Sequence, residues 1–86
     1  MDLKLKGKTG VVLGGTRGIG RAIADTLADE GANVAICARN ADQVAAAVAE
    51  LEAKGVRATG GSVDVTNAAQ LQAWIKSVGE EMGGID

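Results

Sequence analysis

The chain contains no proline, no histidine, no tyrosine and no phenylalanine, and only one tryptophan and one cysteine. With a single cysteine, Cys37, no internal disulfide can form, and there is no Cys/His cluster of the kind that holds zinc. The absence of His and Tyr removes the most obvious acid–base groups, so these 86 residues are expected to be catalytically silent on their own. A net charge of −2 leaves no basic excess to bind nucleic acid. The start, Met1-Asp2-Leu3-Lys4, lacks the apolar core of a secretory signal, and no stretch approaches the ~18 consecutive apolar residues of a membrane span. With 47% apolar residues, the expectation is one soluble, cytoplasmic globular unit, too short for two domains.

Glycine, by contrast, is abundant, and it clusters at Gly14-Gly15-Thr16-Arg17-Gly18-Ile19-Gly20, between the apolar run Val11-Val12-Leu13 and an apolar-periodic stretch. Glycines where a strand turns into a helix are the signature of a dinucleotide cradle. A pyrophosphate has to lie against backbone N–H groups at the helix N-terminus, and side chains there would block it. Gly14 is suited to the tight turn, Gly18 to close approach of the phosphates and Gly20 to packing of the helix on the sheet. The spacing G-x-x-x-G-x-G differs from the commoner G-x-G-x-x-G, and the alternative is a glycine-rich turn that binds nothing. Gly7-Lys8-Thr9 imitates the end of a Walker A loop, but its first glycine would fall on Asp2 and a strand follows where a helix is needed. Lys4, Lys6 and Lys8 read as a solvated, alternating entry to the first strand.

The rest of the chain alternates strand and helix with almost no linker. The first strand is expected over about 9–14. Ile19, Ile23 and Leu27 mark one face of a helix from Gly18 to Glu30, which Gly31 is placed to end. Asn33–Cys37 is a second strand whose apolar run suits the inside of a parallel sheet and buries Cys37. Asn40 with Gln43 three residues later has capping-box spacing, opening a helix with Val44, Val48 and Leu51 as its buried stripe and Gly55 at its close. A third strand, about Arg57–Val63, is weakened by Gly60 and Gly61. Asn67 and Gln70 repeat the cap spacing before the stripe Leu71, Trp74, Ile75, Val78 and Met82, which Gly83-Gly84 should terminate. Trp74 reads as core rather than as a ligand platform. Right-handed crossovers make the strands parallel in order 3-2-1, with the third helix crossing to the other side to deliver a fourth strand starting near Ile85-Asp86.

Over essentially its whole length the sequence resembles the N-terminal part of the short-chain dehydrogenase/reductase family. The resemblance rests on the glycine motif, on Cys37-Ala38-Arg39-Asn40, on Asp64-Val65-Thr66 and on Gly84-Ile85-Asp86. It is nearest to 3-oxoacyl-carrier-protein reductases and related bacterial carbonyl reductases. It implies a three-layer α/β fold of Rossmann type cut before its fourth strand, with residues 1–86 as the N-terminal half of the dinucleotide-binding domain. The implied activity is NADP-dependent oxidation and reduction of a small-molecule alcohol/carbonyl pair. The family's Asn-Asn-Ala-Gly segment, catalytic Ser and Tyr-x-x-x-Lys pair would all lie beyond residue 86. Leu13 stands where members usually carry a Thr that ties the glycine loop to the fourth strand.

Cofactor choice follows from charge. An NAD site normally presents an acid at the end of the second strand, and Ala38 stands there instead. Arg39 and Arg17 can converge on a 2′-phosphate, which favours NADP(H) over NAD(H); the alternative for each is a solvated surface charge. By resemblance, Asp64 accepts from the adenine amino group and Val65 packs on the ring, although an acid three residues before a helix equally suits a capping or dipole role. Thr16 either bonds the adenosine ribose or phosphate or satisfies loop backbone. Ile19 belongs to the motif. Two further readings stay open: a complete, non-catalytic nucleotide-binding half-domain, and a truncation fragment that associates through an exposed strand edge with a second copy or with the remainder of the chain.

Overall fold

Strand and helix alternate three times in the computed structural model, which describes residues 7–14, 16 and 18–83. The elements are β1 (Thr9–Leu13), α1 (Gly18–Asp29), β2 (Asn33–Ala38), α2 (Ala41–Glu52), β3 (Ala58–Ser62) and α3 (Ala68–Met82). The strands are parallel and lie in the order β1-β2-β3. Thr9 aligns with Asn33 and Leu13 with Cys37, and Val34 aligns with Ala58 and Ala38 with Ser62. The expected Lys4 and Lys6 alternation and the fourth-strand start at Ile85-Asp86 lie outside the described residues.

β2 is the middle strand, and Val34, Ala35, Ile36 and Cys37 are all fully buried in it. Its side chains alternate between two apolar clusters, as the pleat requires. Val34 and Ile36 join Val12 against Ala24 and Ala28 of α1 and Val44, Ala47 and Leu51 of α2. On the other face, Ala35 and Val11 meet Trp74, Val78 and Met82 of α3. Two helices thus cover one face and the third covers the other, giving the three-layer arrangement. Each fully buried Val, Leu or Ile contributes about 1.5–3 kcal/mol.

The helix ends follow local sequence. Asn40 Oδ1 accepts from Gln43 N–H at 3.0 Å, and Asn67 Oδ1 accepts from Gln70 N–H at 3.1 Å. The return arm of the second box goes elsewhere: Gln70 Oε1 accepts from the Asp64 N–H at 3.2 Å and so anchors the loop before α3. α1 closes on Gly31 at φ +88°, with Gly31 N–H donating to Ala28 O and Ala32 N–H to Leu27 O, both at 3.0 Å. This is the Schellman pattern, which a residue with a Cβ would strain.

One expectation needs correcting. Gly60 and Gly61 do not interrupt β3, which pairs with β2 through both of them; they are what allows helices to close on both of its faces. A Cβ on Gly60 would run into Val44 and come within 2.8 Å of Val48, and one on Gly61 would lie 2.5 Å from the Trp74 ring. The Ile19–Ile23–Leu27 stripe is one face of α1, but only Leu27 packs on the core. Ile23 is 48% exposed and Ile19 82% exposed, because the small residues Ala24 and Ala28 make the closest contact with the sheet. In α3, Val78 and Met82 are buried as the stripe requires, while Ile75 lies toward solvent.

Candidate functional site

The C-terminal ends of the three parallel strands converge on one cleft. Gly14 extends the β1–β2 ladder by one bond, its N–H donating to Cys37 O at 2.7 Å. The backbone then turns sharply, with Gly14 at φ +74° and Gly18 at φ +65°. For residues with a Cβ this left-handed region costs roughly 1–2 kcal/mol. An ideal Cβ on either glycine meets nothing within 4 Å, so conformation, not crowding, demands glycine there. Gly18, Ile19 and Gly20 form the first turn of α1, which has no acidic residue to offset its positive dipole end. Gly15 and Arg17 lie outside the described residues.

The cleft measures about 480 Å³ and takes Gly14 and Thr16 from the first turn, Ala38 and Arg39 from the end of β2, and Val65 from beyond β3. Five of the residues singled out in the sequence therefore meet on one surface. Ile19 does not join them; it lines a separate apolar hollow on α1 with Ile23 and Leu27. Leu13, Asn40, Gln43 and Val63 complete the cleft wall without having been anticipated. The cap spacing accounts for Asn40, directly after Arg39, and for Gln43, one helical turn on.

Among the described residues Arg39 is the cation that lines the cleft, and its side chain is 73% exposed. Its Nη2 donates to Asp64 Oδ1 at 3.2 Å. The same oxygen accepts from Thr66 Oγ1 at 2.6 Å and from Thr66 N–H at 3.0 Å. These Thr66 bonds, more than the nearby Arg39 charge, hold the Asp64 carboxyl below its ordinary range. The cap of α3 is Asn67, so Asp64 is not the capping residue; its carboxylate closes a turn on Thr66 instead. Ser62 Oγ donates to Arg39 O at 2.8 Å, and Val63 N–H donates to Ala38 O at 3.0 Å, which ties the ends of β2 and β3 together.

Cys37 is fully buried in β2 and does not line the cleft, and burial pushes its thiol up, which disfavours the thiolate a nucleophile needs. Among the described residues there is no group of three or more His, Cys, Asp or Glu side chains that could hold a metal ion. No helix among them is long and apolar enough to cross a membrane.

A glycine turn at the strand–helix junction, beside a cleft at the carboxyl ends of parallel strands, is where doubly wound folds bind ligands. Comparison with known proteins agrees. The short chain dehydrogenase family model matches residues 8–86. The chain is 41% identical over 80 residues to a 3-oxoacyl-[acyl-carrier-protein] reductase of Staphylococcus aureus, covering 92% of this chain and 32% of that protein. L-Sorbose reductase from Gluconobacter frateurii, solved with NADPH and L-sorbose, superposes with a TM-score of 0.93 at 39% identity, over 100% of this chain and 33% of that one. NAD+-bound xylitol dehydrogenase superposes with a TM-score of 0.92 at 35% identity, over 96% of this chain and 32% of that one. The chain spans about a third or less of the length of the relatives it matches. Its three parallel strands and flanking helices form the opening of a Rossmann-type fold, and with the match running from residue 8 to 86 the chain belongs to the short-chain dehydrogenase family of oxidoreductases.

Proposed function

We propose that residues 1–86 form the N-terminal half of a dinucleotide-binding domain, within an NADP(H)-dependent oxidoreductase acting on a carbonyl/alcohol pair. The observation that carries the reading is Arg39, exposed at the end of β2 beside the cleft, with Ala38 where an NAD-selective site would present an acid. The cleft fits the group. The left-handed Gly14 and Gly18 put no side chain at the start of α1, where a pyrophosphate would lie, and the helix end, with no acidic residue in its first turn, favours the negative charge. Thr16 offers a hydroxyl to the adenosine ribose or phosphate. Arg39, with Arg17 of the glycine loop, offers a planar fork to a 2′-phosphate. Val65 supplies apolar surface for the adenine and Asp64 an acceptor for its amino group. Both NADPH and NAD+ occur among the structural neighbours, so fold alone does not choose between them, and the choice rests on charge.

When bound, the nicotinamide would give or take the hydride. This chain's own residues bind and orient the dinucleotide, and the proton transfer is assigned to residues outside them, as the family resemblance implies. Arg39→Ala should weaken NADPH binding about 10-fold or more and NADH binding far less. Equal losses for both cofactors would contradict the assignment.

A second reading, a fragment that associates through an exposed strand edge, draws support from β1, which among the described strands pairs only with β2. Sedimentation of the 86-residue chain over a concentration series separates the two: self-association favours the second reading, and a concentration-independent monomer counts against it.

A further inference from the structure

Arg39 follows β2, where the sheet no longer fixes it. The last rung of the β2–β3 ladder in this region is Val63 N–H to Ala38 O at 3.0 Å. One residue on, a side chain takes over: the Ser62 hydroxyl donates to the Arg39 carbonyl at 2.8 Å. The guanidinium is then met from the same segment by Asp64 Oδ1 at 3.2 Å. Both ends of Arg39, backbone and charged tip, are therefore held from residues 23 and 25 positions further along the chain.

We propose that Ser62 and Asp64 are positioning residues for cofactor selectivity, holding Arg39 at the cleft so that its guanidinium is already oriented when a 2′-phosphate arrives. The inference rests on the assignment of Arg39 to the 2′-phosphate made above. The division of donors supports holding rather than competition. Asp64 engages one of the five guanidinium N–H groups, leaving the others for a phosphate. Its Oδ1 is already committed to two shorter bonds from Thr66, so the Arg39 contact, the longest of the three, orients the side chain without sequestering it. A long exposed side chain loses rotamer freedom when it binds, and one oriented beforehand loses less. Ser62 is not part of the cleft wall, so its influence on the cofactor would pass through Arg39 alone.

The test is the ratio of NADPH to NADH affinity, measured by fluorescence titration of the full protein and of Ser62→Ala, Ser62→Thr and Asp64→Asn, each also in an Arg39→Ala background. Ser62→Ala should lower the ratio ~2- to 5-fold, the effect expected for losing one exposed polar contact, through weaker NADPH binding at unchanged NADH affinity. Ser62→Thr keeps the hydroxyl and should restore the ratio. Asp64→Asn should lower the ratio by a similar factor. Neither substitution should change it further once Arg39 is alanine. An unchanged ratio in both variants, where Arg39→Ala does lower it, would overturn this inference and leave the cofactor assignment standing. A higher ratio in Asp64→Asn would also overturn it, by showing that the carboxylate competes with the phosphate. If Arg39→Ala leaves the ratio unchanged, the assignment fails and this inference with it.

Discussion

Gly61 of β3 packs against the indole of Trp74 from α3, so close that a Cβ on the glycine would stand 2.5 Å from both Cδ1 and Nε1. On the opposite face, Gly60 occupies the same relation to Val44 and Val48 of α2. Two glycines in succession let helices close on both faces of this strand. Gly61→Ala should therefore destabilise the protein by about 1–3 kcal/mol through overpacking, despite the better strand propensity of alanine. Chemical denaturation midpoints of Gly60→Ala, Gly61→Ala and the double variant check this. A stabilised Gly61→Ala would show that the indole moves aside freely.

That relation also marks the boundary of what the sequence made legible. Strand and helix order, the Asn40 and Asn67 caps and the Gly31 stop are set by neighbours within a few residues, so spacing alone located them. The role of Gly60 and Gly61 depends on side chains from two other elements, and from sequence they resembled interruptions. Ile19 and Ile23 illustrate the same limit: period tells which residues share a helix face, but not whether another layer covers it. At the site, the placement of Gly14, Ala38 and Arg39 at one end of the sheet was legible because each sits at or next to a strand end, whereas Val65, beyond β3, was singled out by the family resemblance. The Arg39–Asp64 contact was not legible, since it joins residues 25 apart whose roles had been read separately.

Asp64 makes acid sensitivity predictable in sign. Its carboxyl is held low in the fold, chiefly by Thr66, so the native state binds a proton less readily than the unfolded chain does. The stabilisation is thus complete above the unfolded carboxyl pKa of about 3.9 and is lost as pH falls through the lower folded value. Urea midpoints of the parent and of Asp64→Asn should differ by a constant amount near neutrality and converge in acid. A gap that widens as pH falls would contradict the account.

Cys37 should be inert in the native protein. It is fully buried in the central strand, and burial keeps its thiol protonated. A thiol-reactive disulfide reagent should leave it unmodified until denaturant is added, whereupon one thiol reacts. Rapid labelling under native conditions would mean that β2 opens, or that the fold around it differs.

The central claim is that an arginine beside a glycine turn selects the phosphorylated dinucleotide, and the most direct test is the pair of dissociation constants for NADPH and NADH on the unaltered protein at one salt concentration. The account predicts that NADPH binds at least ~10-fold more tightly, the effect of one or two charge-assisted contacts to the 2′-phosphate. Equal constants, or a preference for NADH, would contradict it.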